Sequence, residues 1–145
     1  MTSSKNFFNT KQQADIVYAI KRAELKTSGE IRVHVEDKCK TTPLERANAV
    51  FEKLGMHKTE LRNGILFYMA VDSKDFAVVG DKGIHEKVGS EFWDKIKDKA
   101  IDNFKQSKFA EGLEEAILEC GRQLKTHFPV NRNDINELND EITFS

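Results

Sequence analysis

The stretch at residues 62–83, RNGILFYMAVDSKDFAVVGDKG, decides the fold. Residues 65–71 form a run of bulky, aromatic and β-branched side chains too short for an ordinary helix. Asp72, Ser73, Lys74 and Asp75 then supply turn chemistry, and the apolar pattern resumes at Phe76. This reads as a β-hairpin. Both runs are nearly continuous rather than alternating, which implies a sheet covered on both faces. A two-strand return also brings Arg62 and Asn63 close to Asp81 and Lys82.

Working upstream, residues 30–35, EIRVHV, alternate Ile31, Val33 and Val35 against Glu30, Arg32 and His34, a strand of period two. The alternation predicts one less deeply covered face and a place toward an edge of the sheet, with His34 facing solvent or pairing across strands. Pro43 suits the first turn of a helix running to about Leu54, with Ala47, Val50, Phe51 and Leu54 facing inward and Gly55 ending it. Strand, helix and strand make a crossover unit with parallel strands. The two strand starts and the end of the third strand then share one end of the sheet, where Glu30, Asn63 and Asp81 converge. Earlier still, Thr10 is the expected cap of a helix over residues 11–26. Residues 1–9 form a lead-in whose Phe7 and Phe8 dock on the core.

Downstream of the hairpin, a helical turn is expected around His85, then a break at Gly89. A helix capped by Ser90 follows, carrying Phe92, Trp93, Ile96, Ala100, Ile101 and Phe104. A last amphipathic helix runs through Leu113, Ala116, Ile117, Cys120 and Leu124 until Pro129. Residues 10–128 thus form one α/β domain, and residues 129–145 a polar acidic tail in which 141–145 could add a short strand.

Composition limits the function. The 145 residues suffice for one domain with a real core, and a net charge of −1 gives no electrostatic case for nucleic acid or an anionic membrane. No apolar run has membrane-spanning length, and the amino terminus lacks the apolar segment of a secretory signal. The two cysteines, Cys39 and Cys120, form no CxxC pair, so the expectation is free thiols in a monomeric, soluble, cytoplasmic protein.

Five strings occur in order: TSGEIRVHVE (27–36), HKTELRNGILFYMAV (57–71), FAVVGDKGIHEKVG followed by SEFW (76–93), KFAEGLEEAI (108–117) and NELNDEI (136–142). Together they resemble the TPM domain family, sometimes labelled phosphatase-like, and most closely its short stand-alone bacterial members. The resemblance implies a three-layer α/β/α sandwich around a small mixed sheet of three to four strands with helices on both faces. It also implies binding of a divalent cation and, in some members, phosphatase activity. The signal peptide, membrane anchor and Gly-rich tail of the tethered members are not in this sequence.

Hard cations such as Ca²⁺ and Mg²⁺ take oxygen ligands. Glu30, Asn63 and Asp81 could supply them, with Glu60 nearby; the simpler reading pairs the two acids with Arg62 and Lys82. Asp37 and Asp72, at the opposite end of the sheet, are the alternative ligand pair, since open α/β sheets bind ligands at the carboxyl ends of their strands. Phosphate-ester hydrolysis would draw on Arg62 to neutralise charge and on His57 or His85 as proton donor. Phosphatase signatures are absent, GDKG (residues 80–83) is not a phosphate loop, and no HxxxH or HExxH spacing marks a zinc site. The competing function is a non-catalytic module contacting a partner protein through the acidic tail.

Overall fold

The computed structural model describes residues 3–130 and 141–145. Four strands, β1 (Glu30–Glu36), β2 (Gly64–Ala70), β3 (Asp75–Gly80) and β4 (Thr143–Phe144), form one mixed sheet in the order β3-β2-β1-β4. β1 runs parallel to β2 and to β4, and β2 runs antiparallel to β3.

The hairpin explains the layering. Successive side chains of β2 point to opposite faces: Ile65, Phe67 and Met69 enter one apolar cluster, Leu66, Tyr68 and Ala70 another. All seven positions of β2 are buried. The first cluster is closed by α2 (Thr10–Glu24), α4 (Lys82–Val88), α5 (Ser90–Lys105) and α6 (Phe109–His127). The second is closed by α3 (Pro43–Lys53) and Met56 of the following single turn. The result is the α/β/α sandwich, with helices on both faces of the sheet.

The lead-in docks as expected: α1 (Ser4–Phe7) is a single helical turn, Phe8 is buried, and Phe7 stands edge-on to Phe109. Several helix ends differ from the sequence reading. Asn9, not Thr10, caps α2, because its side chain and that of Gln12 bond reciprocally to each other's backbone N–H. Ser90 lies inside α5 rather than capping it; Gly89, at φ 79°, makes the break from α4.

β1 carries the larger correction. Its alternation predicted one less covered face, yet every position from Glu30 to Glu36 is buried, because α3 and a polar network cover the second face. His34 is correspondingly not solvent-facing. It is a cross-strand partner of the tail, its two ring nitrogens 2.7 Å from the hydroxyls of Thr143 and Ser145. The short strand that residues 141–145 could add is present as β4. Residues 136–140 of the NELNDEI string lie outside the described residues.

Candidate functional site

The crossover and the hairpin do bring Glu30, Asn63 and Asp81 to one end of the sheet. Asn63 O accepts from Glu30 N at 3.4 Å, and Gly64 O from Asp81 N at 2.9 Å. The chemistry there is set by Arg62, held at φ 51°. Its guanidinium grips Asp81 with two hydrogen bonds, Nε to Oδ2 at 2.7 Å and Nη2 to Oδ1 at 2.9 Å. Lys82 contributes its backbone N–H, not its ammonium, to Asp81 Oδ1 at 2.8 Å, so Asp81 also caps α4. Asn63 donates to Ser28 Oγ at 3.2 Å. Glu30 is buried, while Glu60 stays exposed. Gly83 is required by close approach: a Cβ would stand 2.2 Å from Leu61 O, and Gly83 N donates to Arg62 O at 2.8 Å.

The three catalytic candidates belong to this end but do not form one constellation. His85 lies one turn into α4, and its Nδ1 accepts from Trp93 Nε1 at 2.9 Å. His57 sits in the turn Met56–Lys58, its Nδ1 buried without a hydrogen-bond partner among the described residues. Arg62 is committed to Asp81.

At the opposite end, the parallel pairing of β1 and β2 continues into the two loops. Glu36 O accepts from Val71 N at 2.9 Å and Asp37 O from Asp72 N at 2.8 Å, setting Asp37 and Asp72 side by side. Ser4 N donates to Asp37 Oδ1 at 2.6 Å, and Cys39 N to Ser73 Oγ at 3.0 Å. Among the described residues no Lys, Arg or His forms an ion pair with Asp37 or Asp72.

Beneath this end lies a polar network absent from the sequence reading. Arg46 forks onto Glu36 with two bonds of 2.9 Å, the Tyr68 hydroxyl donates to the same carboxylate, and His34 stacks on Tyr68 at 6.2 Å. Burial works to raise the Glu36 carboxyl, but the bonds from Arg46 and Tyr68 leave it below its ordinary value. Burial, and then the Glu36 carboxylate, push the Tyr68 phenol well up. Burial brings the His34 imidazole down to about 4. One signal was legible: Tyr68 is the single hydroxyl in the apolar run of β2, and a buried hydroxyl needs a partner.

Among the described residues no group of three or more His, Cys, Asp and Glu side chains is placed to hold a metal ion. Nor is any described helix long and apolar enough to cross a membrane.

No curated protein matches. Among solved structures, the chain is similar to the NMR structure of the BA42 protein from the psychrophilic bacterium Bizionia argentinensis, at 40% identity over 100% of both chains and a TM-score of 0.90. The N-terminal domain of a P. gingivalis protein shares 17% identity over 85% of this chain and 80% of that one, at a TM-score of 0.70. The N-terminal domain of the cg2496 protein from Corynebacterium glutamicum shares 11% identity over 94% and 80%, at 0.65. These last two share the fold. The sequence profile of the TPM domain matches residues 1–123, and the chain therefore belongs to the TPM domain family.

Proposed function

We propose that this TPM domain binds a hard divalent cation, Ca²⁺ or Mg²⁺, at the carboxyl ends of β1 and β2, with Asp37 and Asp72 as its carboxylate ligands. The observation that carries the reading is the bond from Asp72 N to Asp37 O at 2.8 Å, which sets two acids side by side with no basic side chain among the described residues paired to either. Mg²⁺ is commonly held by one or two carboxylates with several waters retained, and Ca²⁺ fills its shell with backbone carbonyls and water. Two carboxylates in loops rich in carbonyls suit either ion.

The rival end is chemically less available. Both Asp81 oxygens already accept from Arg62, so a cation there would have to displace a bidentate guanidinium. Hydrolysis is not part of the proposal. A water on a cation at Asp37 and Asp72 would have none of His57, Arg62 or His85 as its proton donor, since these serve the other end of the sheet. The unbridged Cys39 and Cys120 support a reducing, cytoplasmic setting.

Amide-resolved NMR titration with each ion tests the site. Saturable shifts should centre on Asp37, Asp72 and Ser73. Shifts centred on Glu30, Asn63 and Asp81, or no saturation with either ion, would remove the proposal.

A further inference from the structure

At the same end of the sheet as Asp37 and Asp72, a cleft of about 690 Å³ opens between the β2–β3 turn, α1, α5 and the start of α6. Ligand clefts commonly occupy roughly 300–1,000 Å³. One wall is a continuous series of aromatic rings. Phe76 stands edge-on to Phe104 with centroids 5.1 Å apart, Phe104 stacks on Phe109 at 5.5 Å, and Phe109 meets Phe7 edge-on at 5.1 Å. Phe7, Phe104 and Phe109 are only partly buried, so their faces and edges remain accessible from the cleft. An apolar wall left open inside a polar rim is characteristic of a binding groove rather than of finished core packing.

The rim has one dominant sign. Lys74, Lys97 and Lys105 line the cleft against the single carboxylate of Asp75. None of these four residues takes part in an ion pair among the described residues. Two rim positions, Lys74 at φ 57° and Ser107 at φ 60°, hold the left-handed backbone that non-glycine residues seldom adopt. The other clefts differ in kind. In the α5–α6 groove of about 420 Å³, Glu119 and Glu115 are bound by Arg122 and Asn103. The groove beside β4, about 590 Å³, has one lysine and one glutamate in its lining.

We propose that the large cleft binds an amphipathic aromatic anion, with its ring against the phenylalanine wall and its acidic group among Lys74, Lys97 and Lys105. Recognition needs both halves. The ring gains from burial and from edge and face contacts, while the charge is drawn to three ammonium groups that form no ion pair among the described residues. The cleft neighbours the proposed cation ligands, but neither Asp37 nor Asp72 lines it, and the inference does not depend on the cation reading.

The test uses the full chain in EDTA, so that the cation site contributes nothing. Naphthalenesulfonate, neutral naphthol and methanesulfonate are titrated against backbone amide shifts. Naphthalenesulfonate should give saturable shifts at Lys74, Ser107 and Phe109. Naphthol should bind at least about tenfold more weakly and methanesulfonate not measurably, because each supplies only half of the recognition. The triple variant Lys74→Gln, Lys97→Gln, Lys105→Gln changes exposed side chains alone; with an unchanged amide spectrum elsewhere, it should lose the preference for the sulfonate over naphthol. Equal affinity for naphthol and naphthalenesulfonate, shifts lying outside the cleft, or full affinity in the triple variant would each overturn the proposal.

Discussion

At the scale of single residues, the two acidic ends of the sheet differ in what their carboxylates already do. Asp81 caps a helix and accepts from a guanidinium, so its role is structural. Replacing it with Ala should cost about 0.5–2 kcal/mol through the lost cap, lowering the Tm by a few degrees. Thermal unfolding followed by circular dichroism measures this; an unchanged Tm would remove the capping role. Gly83→Ala should destabilise further, by about 1–3 kcal/mol, since the added methyl meets backbone oxygens rather than a movable side chain. Sequence spacing was enough to bring Asp81 beside Arg62. It did not show that Arg62, in the left-handed region, would present both nitrogens to that carboxylate; this depends on a backbone angle that residue identity does not fix.

At the scale of elements, β1 and β4 are joined by a short parallel ladder and by side chains. β4 pairs only His34 with Thr143 and Val35 with Phe144, and the His34 ring is held between two tail hydroxyls. Around the imidazole stand Glu36, Arg46, Lys53, Arg32 and the Tyr68 ring. Its value of about 4 in the fold lies below the ordinary 6.5 of the unfolded chain. The unfolded chain therefore takes up the proton first on acidification. The resulting stability is complete above about 6.5 and is lost as pH falls toward and through 4. Glu36, also held low, adds to the loss at the acid end. Denaturant unfolding across pH 4–7 should show this slope in the native protein and a flatter one in His34→Gln; equal slopes would exclude His34 as its source. Tyr68→Phe should cost about 1–2 kcal/mol, because Glu36 stays buried with one donor fewer.

At the scale of the whole molecule, the sandwich was legible because β2 is a nearly continuous apolar run. A strand of that kind must be covered on both sides, and its alternate residues do enter separate cores. The crossover rule then ordered the strands and located both ends of the sheet. β1 misled for a related reason. Glu30, Arg32, His34 and Glu36 look like a wetted face, yet all four are buried; Glu36 is met by Arg46, ten residues on, and His34 by a tail more than a hundred residues away. Periodicity reports which side chains share a face. It does not report what covers that face. The candidate cation site shares this limit, since Asp37 and Asp72 become neighbours only through the parallel register of β1 and β2.

That pair is also where the functional account is decided. Calorimetric titration of Ca²⁺ and Mg²⁺ into the native protein, Asp37→Asn and Asp81→Asn compares the two ends of the sheet in one experiment. Affinity should fall at least about tenfold in Asp37→Asn and stay at the native value in folded Asp81→Asn. Native affinity in Asp37→Asn, with binding lost in Asp81→Asn, would contradict it.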